Sequence, residues 1–341
     1  AAMPGMLPVI NDHCIYQAVK TGLGLRAKIN VFSVFERKNY FYPDLPQGYQ
    51  ISQYAYPIVG EGVVSIDMAD GSVREVSIER LHMEQDAGKS MHDQDPNHSL
   101  IDLNRAGICL MEIVSKPDMR SPEEAGAFVR KIRSILRYLD TCDGNMEQGS
   151  LRADVNVSVR KLGESGLRTR TETKNLNSFR FIRQAITYEI NRQHDEILDG
   201  KKITQETRLW DTENNKTLSM RSKEEADEYR YFPDPDLPPV FISEEKIKKI
   251  RKNIPELPES KLNRFMSKYK LNYYDAELLS SNKEMSVYFE KVVHYGATPK
   301  LACNWIIGEL TRTINDSRKS ISEIKLDPKN LADLTKFIER D

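Results

Sequence analysis

Two acids, Asp154 and Glu172, stand among basic residues in a pattern that could hold a cation. From Ser150 to Arg160 the chain alternates strictly. Leu151, Ala153, Val155, Val157 and Val159 fall on one side, and Ser150, Arg152, Asp154, Asn156, Ser158 and Arg160 on the other. A period of two marks a half-buried strand. Residues 161–166 contain two glycines and read as a hairpin turn, and the returning strand 167–174 carries Arg168, Arg170, Glu172 and Lys174 on its even positions. With Gly163 at the centre of the turn, Asp154 lies across from Glu172 and Arg152 across from Lys174. Opposed side chains have Cβ atoms roughly 4.5–5.5 Å apart, where like charges repel. Such a pair of carboxylates invites a divalent cation, and the flanking Arg and Lys suit an anion bound to it. A slip of two residues instead pairs Asp154 with Lys174 as a plain ion pair, on an ordinary solvated face.

Other stretches could join such a site. Residues 73–84 read as a strand on which Arg80, His82 and Glu84 share parity, so Glu84 either adds a carboxylate or is a plain exposed strand end. The turn Asp86–Ser90 follows. Its Gly88-Lys89-Ser90 resembles the end of a P-loop, but Met83 stands where the first motif glycine belongs, so it is not one. The glycines at 22 and 24 match a loose dinucleotide fingerprint, yet here they end a helix instead of opening one. Residues 35–53 interleave aromatics with Arg37, Lys38 and Asn39. They form either a loop that grips a polar ligand or stacks on a base, or a packed aromatic loop with a basic rim.

Helices must hold these strands. Asn11 and Asp12 cap a helix to about Thr21, with Gly22 as its stop. Ser121-Pro122-Glu123-Glu124 is a capping-box start, followed at helical spacing by Ala125, Phe128, Val129, Ile132, Ile135, Leu136 and Leu139. A second long helix begins near Ser178, with Ile182, Ile186 and Ile190 on its stripe and Gly200 beyond its end. Its N-terminus, soon after Glu172, favours a phosphate nearby. Pro and Asp then crowd residues 233–239, a rigid segment that closes a first domain. A short basic helix with Lys246, Lys248, Lys249, Arg251 and Lys252 follows, and its lysines either meet RNA or form a solvated face. Pro258, Pro299 and Pro328 each open a further helix. The expected class is α+β, a mixed sheet with flanking helices over residues 1–240, a basic helix and linker over 241–258, and a small all-α domain over 259–341.

The composition narrows the field. The 341 residues carry a net charge of −1, so any contact with nucleic acid must come from a local patch. The four cysteines form no C-x-x-C pair, which argues for a reducing compartment. No apolar run approaches the roughly 18 residues of a membrane helix, and a cytoplasmic protein is expected. The chain opens and stops inside patterns that read as domain interior.

The blocks MPGMLPVIN, FERKNYFYPDLPQGYQISQ, HMEQDAGKS, LNRAGICLMEIVSKPDMRSPEEA, DGNMEQGSLRADVNVSVR, TKNLNSFRFI, QETRLWD and MRSKEEADEYRYFPDPDLPP run in order from residue 3 to about 240. Together they resemble the B subunits of the bacterial and organellar aspartyl/glutamyl-tRNA amidotransferases. The resemblance implies a cradle-like, glutamine-synthetase-like catalytic domain that phosphorylates the side-chain carboxylate of mischarged Glu-tRNA(Gln) or Asp-tRNA(Asn) with ATP and Mg²⁺. Ammonia would come from the amidase (glutaminase) partner, the A subunit, and the small C subunit would wrap the pair. By the resemblance, Glu84 or its neighbour, Asp154 and Glu172 would hold the Mg²⁺–ATP, and Arg152, Arg170 and Lys174 are candidates to steady the transferring phosphoryl group. Lys38 and Lys89 sit near the ammonia exit and active site, and Gln85 stands at the channel mouth, where many relatives have Glu. Where the basic helix meets RNA and is not a solvated face, Lys248, Lys249 and Lys252 are the residues expected to meet the tRNA. The resemblance also implies an upstream strand with further metal ligands, upstream zinc-binding cysteines in some members, and a tail domain beyond Asp341. A chain lacking these is expected to be inactive by itself. The competing reading is a non-catalytic tRNA-binding or scaffold subunit of the same complex.

Overall fold

The computed structural model describes residues 7–91, 95, 97–222, 229–317 and 319–339. The expectations resting on residues 1–6, 223–228 and 340–341, including parts of the first and last sequence blocks, lie outside the described residues.

The first half runs α1 (Asp12–Gly24), β1 (Phe32–Ser33), β2 (Glu36–Asn39), β3 (Tyr49–Ser52), β4 (Gly62–Asp67), β5 (Val73–Gln85), β6 (Lys89–Met91), β7 (Leu100–Asp102), β8 (Cys109–Ser115) and α2 (Pro122–Tyr138). Then come β9 (Ala153–Val157), β10 (Thr171–Leu176), α3 (Phe179–Leu198), β11 (Glu206–Asp211), β12 (Lys216–Ser222), β13 (Phe232–Pro233), β14 (Val240–Phe241) and α4 (Glu244–Lys252). The remaining described elements are helical: α5 (Pro258–Tyr269), α6 (Tyr273–Ser281), α7 (Lys283–His294), α8 (Pro299–Trp305), a π-helical turn (Ile306–Leu310), α9 (Thr311–Ser317) and α10 (Pro328–Ile338). The chain divides into two compact units, Ala1–Arg133 with Thr141–Asn253, and Ser134–Asp140 with Ile254–Asp341. The basic helix α4 falls in the first unit. The protein is a mixed α and β structure, and among the described residues no helix is long and apolar enough to cross a membrane.

In the first unit, β5 is the central strand of the sheet β4-β5-β8 and runs antiparallel to both neighbours. Val76, Ile78 and Leu81 of β5 are buried, as are Val64 and Ile66 of β4. Helix α1 packs close by. Asn11 caps it by accepting the His13 N–H at 2.9 Å. It does not stop at Gly22 but runs to Gly24. A Cβ on Gly22 would lie 2.7 Å from Val59, so this glycine permits close packing and does not break the helix.

The second sheet has the order β12-β11-β10-β9, with β10 and β11 parallel and the other pairs antiparallel. Helix α3 covers it, with Ile182 and Ala185 of the helix and Trp210 of β11 fully buried. Ser178 caps α3 by accepting the Phe181 N–H at 3.1 Å, and Gly200 follows the helix with a φ of +76°. On the buried face of α3 is Glu189, which accepts from Arg192 Nη2 at 2.7 Å and from Thr171 Oγ1 at 2.7 Å, with Arg208 Nε 3.0 Å away. Burial alone would raise this carboxyl, but the hydrogen bonds from Arg192, Thr217 and Thr171 outweigh it and hold the group below its ordinary range.

The hairpin differs from the expected one. Strand β9 starts at Ala153 and β10 at Thr171, with Gly163 and Gly166 in the long connection at φ of +85° and +88°. Glu172 pairs with Asn156, and not with Asp154. The ladder is then broken between Thr173 and Leu176, where Asn175 takes a φ of +67°. This is the slip of two residues. Asp154 is brought to Lys174, whose Nζ lies 3.6 Å from Asp154 Oδ2.

The second unit is built on apolar helix faces. Phe265, Ala276, Leu279, Phe289, Ala302, Ile306 and Ala332 form its core. Pro258, Pro299 and Pro328 occupy the first turns of α5, α8 and α10, as the sequence predicts. The last turn of α2 belongs here, with Tyr138 OH donating to the Ser280 carbonyl at 2.7 Å.

Candidate active site

Acids of the first unit gather into two groups, one of them around a histidine. The first lies at the end of β5. Side chains on a strand alternate, so His82 and Glu84 share a face. The β5–β8 register sets His82 directly opposite Glu112. His82 Nε2 lies 3.7 Å from Glu84 Oε2 and 3.7 Å from Glu112 Oε2. One ligand atom from each of the three residues falls within 4.8 Å of the others. His82 is only 5% exposed, and its Nδ1 is buried without a partner. Two carboxylates and an imidazole converging at that distance are a donor set that fits a divalent cation. Ser52 Oγ also reaches Glu84, at 3.5 Å.

Aromatic residues wall this group. Burial, then the charge of Glu84, pushes the Tyr40 phenol up to about 12, and the same causes raise Tyr231. Both phenols therefore keep their protons at neutral pH and remain hydrogen-bond donors. Tyr54 stacks on Tyr231 with ring centroids 4.7 Å apart, and Lys38 Nζ lies 4.8 Å from the Tyr229 centroid. Gln85 is held from two sides: its side chain accepts from Gln47 Nε2 at 2.5 Å, and its carbonyl from Gln50 Nε2 at 2.7 Å.

The second group is on β9 and β10. Lys174 Nζ bridges Asp154 at 3.6 Å and Glu172 Oε1 at 3.9 Å. Thr207, opposite Glu172 in the parallel pair, donates to Glu172 Oε2 at 3.1 Å. Desolvation raises the Asp154 carboxyl above its ordinary range, and the charge of Lys174 partly counters this. The Asp154 side chain is nonetheless 49% exposed, so water screens part of that effect.

Asp86 joins the two stretches of chain. This buried carboxylate accepts from Arg105 Nε at 3.0 Å and from Arg152 Nη2 at 2.9 Å. Arg152, two residues before Asp154, is thus tied to a residue two positions after Glu84. The three acids expected to share one metal do not form a single close ligand set among the described residues; Glu84 sits with His82 and Glu112 instead. Arg170 is exposed ahead of β10, with no ion pair to Asp154 or Glu172 among the described residues. Lys89 is exposed at the start of β6, opposite Asp102. On α4, Lys248, Lys249 and Lys252 face solvent while Ile247 and Ile250 are buried.

Sequence reasoning missed Glu112, Asp86, Arg105 and Ser52. The signal for Glu112 is its alternation within β8, but it becomes a site residue only once the β5–β8 register is known.

These elements have relatives. Residues 1–248 match the GatB/GatE catalytic domain family, and residues 287–341 match the GatB domain family. The chain belongs to the GatB/GatE family, and with it to the amidotransferases that are ligases taking their amide nitrogen from glutamine. Proteins named as the B subunit of aspartyl/glutamyl-tRNA(Asn/Gln) amidotransferase are similar along nearly its whole length. That of Pelagibacter ubique is 60% identical over 99% of this chain and 69% of its own length. Those of Rhodospirillum rubrum and Rickettsia conorii are 59% and 55% identical, over 99% and 100% of this chain and 70% of their own lengths.

Proposed function

We propose that this protein activates the side-chain carboxylate of a mischarged Glu-tRNA(Gln) or Asp-tRNA(Asn) by ATP-dependent phosphorylation and passes it on to ammonia. The ammonia would come from a glutaminase partner, with a further small partner completing the assembly. In this reading the first unit is a glutamine-synthetase-like cradle, and residues 259–341 form a helical domain that meets the tRNA. The observation that carries the proposal is the pair of acid groups, His82–Glu84–Glu112 and Asp154–Lys174–Glu172, with Arg152 hydrogen-bonded to Asp86. A protein that only binds RNA has no use for converging carboxylates.

Mg²⁺ with ATP would supply the phosphoryl group that makes a carboxylate reactive toward ammonia. Glu84 and Glu112, with His82, are placed to hold such a cation, and Asp154 and Glu172 offer further oxygen ligands. Arg152 is oriented by Asp86, which fixes its guanidinium without neutralising its far edge. Lys174 lies between two acids, where it can pass from countering them to countering a phosphate. Tyr40 and Tyr231 exclude water along one wall and present O–H donors. Lys38, stacked on Tyr229, and Gln85, held by two glutamines, are proposed to line the ammonia exit and its mouth. Arg170 and Lys89 are proposed as cationic partners that meet the substrate from solvent.

The test uses the protein in complex with its partners. Asp154→Asn should lower Glu-tRNA-dependent ATP hydrolysis by roughly 10²-fold or more, the scale of losing a preorganised charged group at a reacting centre. Binding of the tRNA should be retained. An unchanged ATPase rate would sink the assignment and leave a tRNA-binding scaffold as the better account.

A further inference from the structure

A groove of about 520 Å³ lies between α3 and the end of β11. Arg180, Arg183, Gln184, Tyr188, Asn191 and Trp210 line it. None of these residues belongs to either acid group. Two of them leave polar atoms buried without a partner: the Trp210 indole N–H and the Gln184 side-chain oxygen. Trp210 is 1% exposed, and its own carbonyl is already satisfied by Asn175 Nδ2 at 3.0 Å, so the indole donor is the group left over. A buried donor and a buried acceptor without partners are uncommon in a folded protein, because each has lost its water. Here they belong to side chains that line the same space.

We propose that this groove binds a nucleotide unit, with its base on the floor and its phosphate at the rim. A neighbouring donor and acceptor match the donor–acceptor edge of a nucleobase, the pairing that side-chain amides make with adenine. Tyr188 beside Trp210, with ring centroids 6.4 Å apart, supplies an aromatic wall for the base. Arg180 and Arg183 are three residues apart on one helix and so share a face, spaced to take the oxygens of one phosphate. Arg183 is paired with the half-exposed Glu123, at 3.2 Å, an ion pair weak enough to be exchanged for a phosphate. Arg180 is exposed and has no acidic partner among the described residues. The proposal does not depend on the transamidation reading. It concerns a different set of side chains in the same unit.

The same chemistry can come from a free mononucleotide or from a nucleotide within RNA, so the experiment has both arms. Calorimetric titrations of the whole complex would use adenosine monophosphate, a short single-stranded RNA and inorganic phosphate. One nucleotide or RNA should bind per copy of this chain, and Arg180→Ala with Arg183→Ala should weaken binding at least tenfold. Trp210→Phe should weaken it several-fold, and since none of the varied residues belongs to either acid group, the losses report on this groove and not on the proposed ATP site. Gln184→Glu, on a half-buried position, repeats the test should Trp210→Phe fail to fold. Binding by the mononucleotide identifies a free ligand; binding by the RNA alone identifies an RNA-binding groove. No saturable binding, phosphate binding as tightly as nucleotide, or a double arginine variant that binds like wild type would overturn the proposal.

Discussion

Lys174 is the residue on which the chemistry of β9 and β10 turns, because both acids of that pair lean on it. Its charge is the main influence lowering the Asp154 carboxyl against the desolvation that raises it. Lys174→Met should therefore move Asp154 ionisation to still higher pH, read by following its carboxyl carbon in an NMR titration; an unmoved midpoint would show the ion pair to be idle. The folded carboxyl already sits above the unfolded value of about 3.9. Its contribution to stability is then fully present below that value and is lost as pH rises through the raised folded one. Cation binding has the opposite preference. It needs the ionised acid, so affinity should fall off on acidification sooner than for an ordinary aspartate.

At the scale of elements, β10 and α3 decide how the second sheet is held and how far it is readable. Glu189→Ala would leave Arg192 and Arg208 beside an empty buried pocket. Removing one partner of such a network costs about 3–5 kcal/mol, so the midpoint of denaturant unfolding should fall sharply while Glu189→Gln loses less. The alternation from Leu151 to Val159 shows that a strand is there and which face each side chain takes. It does not show the register, because the chain between β9 and β10 is a long irregular connection and not a tight turn, and the ladder breaks at Asn175. Parity survives a slip of two residues, whereas the identity of the opposed pair does not. Gly22 is ambiguous for a related reason: glycine marks either a stop or a close approach, and only the position of Val59 separates them. The proline-led helices are legible, since a proline in the first turn is a local signal. Asp86 reads as a turn residue because its arginine partners lie 19 and 66 positions away.

Across the whole chain, the net charge of −1 leaves no general attraction for RNA. Any tRNA would have to be drawn by local fields, and we propose the lysines of α4 as the source of one. Its Ile247 and Ile250 anchor the helix while Lys248, Lys249 and Lys252 remain exposed, so the lysines can be removed without touching the core. Replacing all three with Ala should weaken tRNA binding and reduce the slope of log affinity against log salt by about two to three, one unit or slightly less for each phosphate no longer neutralised. Equal affinity at every salt concentration would show the run to be a solvated face. The second unit has its own apolar core around Phe265 and Phe289, so this change should leave its helical signal intact.

The lysine shared by Asp154 and Glu172 also sets the terms on which a metal can arrive. Without one, the ammonium already occupies the post, and the two acids are not left to repel each other. A divalent ion bound there would have to displace this tethered ammonium, and so would meet acids whose charge is already partly countered. The displaced ammonium, still on its stem beside the acids, would then be free to meet a polyanion that accompanied the ion.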